Sequence, residues 1–435
     1  MKRLLLALLA AVLVGSCAPE QRKTHLYLQR FFGECTAEYG GKTDIGKAEG
    51  ECGIMTTMIN RFNVENPNVQ VDVNVIAWPG YPQLTAQMAA RDPPDLVTMH
   101  TGVISDYAAK DLLEPIGPYL QAAGIAPASF TDASLRAVTI GNQIYALPFD
   151  THAGLFHVNT ALFKTAGLMR GGKPVLPNSA DELIAQARQF TQRTGKPYLI
   201  QSNVGDTAYA ARNLYTYMMA QGAVLFPDPK HIDLTNPIAV NVANFFKAIN
   251  EQRLGTLNMD TPAAIAAFMN GEGGIYPTGT WMIGSFETEA TTPGRPLHGS
   301  YAVFPYPRLW GQHVEYVSGH AWVVPKRKRT PGQRAAIARF FRFVADNNYA
   351  WTRAGHLPAF DAVLNDPRFK SLPHRADIAP VAQIGRPLPG YVLRQNAIEG
   401  IVGEEAVAAF TGQKPVERAL AQAERRVNQL LAQVE

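Results

Sequence analysis

The chain has 435 residues, 46% hydrophobic and 17% charged, with a formal net charge of +4. That length suggests two or three domains with real cores, and the balance excludes both a disordered chain and a strongly basic nucleic-acid binder. Three cysteines are too few for a disulfide-dense scaffold.

Residues 1–16 read as a leader. Met1-Lys2-Arg3 is basic, residues 4–14 are apolar, and Val14-Gly15-Ser16 is a small-residue site that ends at Cys17. The apolar run is too short to span a bilayer. The segment resembles a lipoprotein signal peptide, which implies lipidation of Cys17; the alternative is a soluble secreted chain. Residues 17–24 then serve as anchor and tether. Without the leader the net charge falls to +2, and no nucleic-acid partner is expected. An exported context permits a disulfide between the two remaining cysteines, Cys35 and Cys52. The loop between them carries Asp44, Glu49 and Glu51, whose spacing does not match a calcium loop, so these read as solvated carboxylates.

His25-Leu26-Tyr27-Leu28 predicts a first strand, followed by Arg30. The apolar spacing of Ile54, Met55, Met58, Ile59 and Phe62 predicts a helix over 53–63. Val69, Val71, Val73 and Val75 alternate with polar residues, which predicts a strand with one buried face. A turn at Trp78 to Tyr81, a helix through Leu84 and Met88, and a short strand at 95–99 follow. Strands alternating with helices argue for a mostly parallel, helix-covered sheet, whose strand ends place Arg30, Trp78, Tyr81, Met99, His100 and Thr101 on one rim.

Residues 141–159 form one extended run broken at Pro148, where proline removes a ladder donor. The chain is expected to leave one sheet there and enter another, with Phe149, Asp150, Thr151 and His152 at the junction; an ordinary loop is the alternative. Helices are predicted at 181–192, 211–222, 236–249 and 263–270. Residues 273–281 repeat the proline-broken extended pattern and are read as a second crossing, and 317–325 as a third. The basic run Lys326 to Arg329 is read as a solvated loop before a helix. That helix carries Ile337, Phe340, Phe341 and Val344 on one face, and a terminal helix carries Leu420, Val427, Leu430 and Leu431.

Catalytic signatures are absent: no GxSxG, HExxH, Walker loop or GxGxxG occurs. His152 and His157 sit at odd spacing on one strand and point to opposite faces, so no metal ion and no cofactor are expected. All five tryptophans (Trp78, Trp281, Trp310, Trp322, Trp351) fall in or near turns or crossings. A cleft lined from several loops would gather them, and a tryptophan face suits the C–H face of a sugar ring.

The lipobox-like start and the blocks FNVENPNVQVDV, ARDPPDLVTMH, DLLEPIGPYL, GNQIYALPFDTHAGLFHVNTALFKTAGL, AFMNGEGGIYPTGTWMIGSF, GHAWVVPKRKR and RAGHLPAF together resemble the extracellular solute-binding proteins of sugar-type ATP-binding-cassette importers. The resemblance implies an α/β, two-lobed periplasmic-binding-protein-like fold with three interdomain crossings and a ligand cleft between the lobes. Residues 25–148 plus 281–318 are expected in the first lobe, and 149–280 plus 319–435 in the second. It also implies a non-enzymatic monomer, exported and lipid-anchored, that carries a carbohydrate to membrane permease subunits. The residues expected to line the cleft are Arg30, Trp78, Tyr81, His100, Thr101, Asp150, Thr280, Trp281, Ser318, Gly319, His320, Trp322 and Arg353. A binder of glycerol phosphate or another anionic polyol, with Arg30, Arg353 and His356 holding the anion, is the alternative within the class. A secreted glycoside hydrolase or an adhesion lipoprotein is the alternative outside it.

Overall fold

The structure, a computed structural model, describes residues 23–77 and 80–433. The leader, the Cys17 anchor and Trp78 lie outside the described residues.

The first sheet is built from β1 (Thr24–Arg30), β2 (Val69–Val75), β3 (Leu96–His100), β4 (Ala146–Pro148) and β9 (His320–Val323), in the order β2-β1-β3-β9-β4. β1 and β2 run parallel in register from Thr24↔Val69 to Arg30↔Val75. Between them, helix α1 (Gly50–Glu65) buries Ile54, Met55, Met58, Ile59 and Phe62, as the helical spacing requires, and stops at Asn66. The second sheet is built around the long strand β5 (Asp150–Asn159), which pairs with β6 (Ile275–Gly279), β7 (Tyr301–Pro305), β8 (Glu315–Ser318) and β10 (Leu357–Pro358); β8 also pairs with β11 (Gly385–Arg386).

The break at Pro148 is a passage between sheets. Pro148 pairs with Ala321 in the first sheet, and two residues on Asp150 opens β5 in the second. Proline is tolerated because β4 is an edge strand, where a missing N–H costs no ladder bond. The third run also crosses, at Gly319, between β8 and β9. The second run does not. β6 stays paired with β5 from Val158 through Gly154, and Pro277 sits opposite Phe156 at the end of the sheet. The remaining passage runs through residues 347–360, where Trp351 packs in the first core and Leu357 pairs with Thr151 of β5.

Sheet membership therefore reverses two expected assignments. Residues 301–305 and 315–318 belong to the second sheet, and residues 320–323 to the first, where β9 is a central strand between β3 and β4. A continuous apolar run suits a strand covered on both faces, and all four residues of β9 are buried. Helix α4 (Pro331–Asp346) likewise belongs to the first lobe. It starts with a Thr330/Gln333 capping box and buries Ile337, Phe340, Phe341 and Val344 against Phe62 and Trp322. Each buried phenylalanine contributes about 1.5–3 kcal/mol. The second lobe has a separate core in which α2 (Ala208–Ala220), α3 (Pro237–Glu251), α5 (Gln395–Phe410) and α6 (Val416–Ala432) pack together. Trp310 packs on Tyr217 and Phe245 there.

The basic run before α4 is not simply solvated. The Arg329 guanidinium is fully buried and bonds the carboxylates of Asp95, at 3.2 Å, and Glu114, at 2.7 Å. The chain from β9 to α4 passes the start of β3, and these two carboxylates compensate the desolvated charge. The predicted disulfide between Cys35 and Cys52 is present. Among the described residues no helix is long and apolar enough to cross a membrane.

Candidate ligand-binding site

Three strand ends meet where the sheets meet: β3 ends at His100, β5 begins at Asp150 and β9 begins at His320. Antiparallel register sets His320 opposite His100, and Ser318 opposite His152, so these histidines converge although they are far apart in sequence. Gly319 lies between the two pairings because the strands approach too closely for a side chain. A Cβ there would lie 2.4 Å from the Asp150 carbonyl oxygen. Thr101 Oγ1 accepts from the Gly319 N–H and lies 3.2 Å from Ser318 Oγ, tying the two lobes. Ser105 donates to the Gly390 carbonyl, and the Arg394 N–H to Asp106, further along the same boundary.

Asp150 is the buried centre of this junction. Its Oδ1 accepts from the His320 N–H at 2.7 Å, and its Oδ2 lies 2.8 Å from His320 Nδ1 and accepts from Trp351 Nε1 at 2.7 Å. Burial alone would push its carboxyl up, but the rings of His320 and His356 override that and hold it well below the ordinary value. His356 stacks on Trp351 and its Nε2 lies 2.7 Å from Glu51 Oε1. Burial lowers the His356 pKa, yet Asp150 and then Glu51 outweigh it, and the net shift is upward. Burial, with His320 beside them, holds His100 and His152 well below the usual imidazole range.

Beside this junction is a recess of about 360 Å³, lined by His152, Tyr209, Arg212, Trp281, Tyr306, Glu315 and Tyr316. Trp281 is partly exposed and meets the His152 ring edge-on at 5.5 Å. Its indole lies over Gly279, where any Cβ would strike the ring. Arg212 makes a two-pronged bond to Glu399, at 2.6 and 3.0 Å. Burial works against its charge, and Glu399 more than compensates, raising its pKa. Glu315 is 1% exposed; its Oε2 accepts from the Tyr306 N–H, and its Oε1 has no partner. Burial pushes its pKa well above the ordinary value, which favours the protonated form. The arrangement offers an aromatic plane, phenol tips and a paired guanidinium to an uncharged, hydroxyl-rich molecule. A second recess, of about 260 Å³, lies on the other side of Tyr316 and is lined by Thr101, Ser105, Ser318 and Gln395. A further cavity, about 520 Å³, lies within the second lobe between Leu199, Tyr209 and Phe245.

Of the residues predicted for the cleft, Tyr81, His100, Thr101, Ser318, Gly319 and His320 gather at the junction, and Trp281 at the recess. Five others, Asp150 at the junction itself among them, are taken up by contacts within the protein. Arg30 is 2% exposed; it donates to the carbonyls of Phe31 and Gly33 and to Thr56, while its Nε has no partner among the described residues. Trp322 is buried in the first core between Phe149 and Phe340. Arg353 donates to the carbonyls of Ile45, Gly46 and Ala48, pinning the disulfide loop. Thr280 is buried beside His356, and both Asp150 oxygens are taken by protein donors. Polar side chains in these positions satisfy backbone groups that burial would otherwise leave orphaned. The clustering of tryptophans near turns misled in the same way, since Trp322 and Trp351 are core residues. His157 points away from His152 as expected, into the second lobe beside Tyr301, and burial brings it down to about 3.

The sequence reading missed Tyr209, Arg212, Tyr306, Glu315, Tyr316 and Glu399. One signal was present: Tyr209, Arg212 and Thr216 form a polar stripe at i, i+3 and i+7 on helix α2.

A two-lobed α/β fold with a polar and aromatic recess at the junction defines a binding protein of the periplasmic type. The chain belongs to the family described as bacterial extracellular solute-binding proteins, whose profile it matches over residues 53–350. The whole fold is similar to solved structures at low identity. One is the cyclic alpha-maltosyl-1,6-maltose binding protein from Arthrobacter globiformis, with a TM-score of 0.75, 18% identity, and 94% of this chain and 99% of that one covered. Another is the ABC substrate-binding protein from Listeria monocytogenes in complex with cycloalternan, with a TM-score of 0.74, 19% identity, and 94% and 99% covered. A third is the sugar-binding protein MalE from Xanthomonas citri, with a TM-score of 0.76, 17% identity, and 94% and 98% covered. The family and these neighbours are binding proteins, not enzymes.

Proposed function

We propose that the chain captures a carbohydrate, di- or oligosaccharide in size, between its lobes and delivers it to the permease subunits of an ATP-binding-cassette importer. Hinged closure of the lobes on the solute, with the mature chain exported, anchored through lipidated Cys17 and acting as a monomer, completes the reading. The observation that carries it is the recess at the junction. Trp281 supplies the plane for a sugar ring, and Tyr209, Arg212, His152 and Glu315 supply polar groups for hydroxyls. The names of the matched proteins, which bind maltose-type or cyclic oligosaccharides, support that ligand class. The anionic alternative has less support, because Arg30 and Arg353 are committed to backbone carbonyls and His356 faces Glu51 and Asp150.

Intrinsic tryptophan fluorescence, titrated with malto-oligosaccharides, other di- and oligosaccharides and glycerol phosphates, tests the reading. Saturable change is expected with one or more oligosaccharides. Trp281→Ala is expected to weaken that binding at least tenfold while the unfolding midpoint stays within a few degrees. Silence across the sugars, or unchanged affinity in the variant, overturns the assignment.

A further inference from the structure

The recess accounts for only one of the three histidines that converge at the junction. One ring nitrogen from each of His100, His152 and His320 lies within 4.8 Å of those from the other two. Ring centroids are 4.7 Å apart for His100 and His320, 5.0 Å for His152 and His320, and 6.2 Å for His100 and His152. The ring planes are inclined to one another by 58°, 52° and 74°, like blades around a centre. Three imidazoles on a tetrahedral ion, with metal–nitrogen bonds of about 2.0–2.1 Å, place their centroids roughly 5 Å apart. The observed centroid spacing brackets that value.

The outer contacts also fit. A ligating imidazole is usually oriented by a bond at its other ring nitrogen, most often to a carboxylate or another oxygen. His320 Nδ1 lies 2.8 Å from Asp150 Oδ2, and His100 Nδ1 lies 2.7 Å from the Tyr81 hydroxyl, which also accepts from the His100 N–H. His320 Nδ1 is thus held by Asp150, which leaves Nε2 of that ring for the ion. His152 is 7% exposed and makes ring contacts with Trp281 and His320.

We propose that His100, His152 and His320 bind a single divalent transition-metal ion, Zn²⁺ above all, with the fourth position facing the recess beside Trp281. Imidazole donors select Zn²⁺ and its neighbours over Ca²⁺ or Mg²⁺, which take oxygen ligands. A second trio of potential ligands, Asp150, His320 and His356, is not a competing site. Asp150 is saturated by His320 and Trp351, and His320 Nδ1 is already in that network. The three ligands come from β3, β5 and β9, so the ion ties both sheets at their junction and offers its open position to water or to a solute oxygen. No sequence motif announces it, since the histidines lie at positions 100, 152 and 320.

The test uses the tag-free mature chain, stripped with a chelator and then titrated with Zn²⁺ against a chromophoric competitor, with Co²⁺ as the spectroscopic probe. One ion per chain is expected, and the Co²⁺ form is expected to show the intense visible bands of a tetrahedral nitrogen site. His152→Ala, which loses no hydrogen bond, is expected to weaken Zn²⁺ binding at least tenfold and abolish the Co²⁺ bands. Tyr81→Phe, which keeps the ring and its packing, is expected to keep the stoichiometry and weaken binding ten- to hundred-fold. His25→Ala, at an exposed histidine paired with Asp72, is expected to change nothing. Absence of stoichiometric binding by the stripped wild type, or equal affinity in both His152→Ala and Tyr81→Phe, overturns the proposal. Sugar titrations on the stripped protein keep this outcome separate from that of the carbohydrate reading.

Discussion

Replacing Asp150 by alanine separates a structural role from a ligand-contacting one. In the folded chain three donors converge on its carboxylate: the His320 N–H, His320 Nδ1 and Trp351 Nε1. All are buried, so deletion leaves each without an acceptor, at about 1–3 kcal/mol apiece. Tautomer exchange in His320 and water entering the vacated volume recover part of the sum, which leaves about 3–5 kcal/mol, the range for breaking a buried charged pair. Asp150→Asn keeps one carbonyl acceptor for the His320 N–H and lets the His320 ring accept from the new amide, so only the Trp351 indole is orphaned. Its expected cost is about 1–3 kcal/mol. Urea unfolding followed by far-UV circular dichroism, with ΔG from linear extrapolation, gives both values. The expected order is wild type, then Asn, then Ala, with saccharide affinity in the Asn variant within a few-fold of wild type. If Asp150→Ala loses less than about 1 kcal/mol while binding collapses, Asp150 touches the solute directly and the network described above is not what holds it.

Three further outcomes follow from the same structure. Glu315 has a raised folded pKa, so its contribution is complete below about 4.5 and is lost as pH rises toward the folded value, with a slope of at most about 1.4 kcal/mol per pH unit. Glu315→Gln is expected to flatten that fall and to be more stable than wild type at pH 8; parallel stability curves between pH 5 and 8 would exclude a buried neutral acid. Gly319→Ala forces a Cβ onto the Asp150 carbonyl, and urea unfolding is expected to report about 1–3 kcal/mol lost, whereas a neutral effect would mean that the strands can part there. Replacing Cys35 and Cys52 by serine opens a loop that Arg353 also pins, and is expected to cost about 3 kcal/mol by the same measurement; no loss would show that the arginine's three carbonyl bonds suffice.

What the sequence determined by itself is local. Alternation in residues 69–75 set a strand, although burial follows it only at Val69 and Val71; helical spacing set the inward faces of α1, α4 and α6, and Pro148 marked a passage between sheets, because these signals depend only on near neighbours and backbone chemistry. The in-order run of weak blocks also carried the fold class, since each block records an element and its turn. Tertiary structure alone decided which sheet received each later strand. β8 and β9 are adjacent in sequence yet pair with β5 and β3 respectively, a choice made by partners more than a hundred residues away. It also decided which polar side chains face the recess. Arg30 and Arg353 read like ligand-binding groups but bond backbone carbonyls, while Arg212 meets Glu399 across 187 residues and His100 meets His320 across a sheet register. A side chain's duty depends on which orphaned groups surround it once the chain is packed, and no pattern of near neighbours records that.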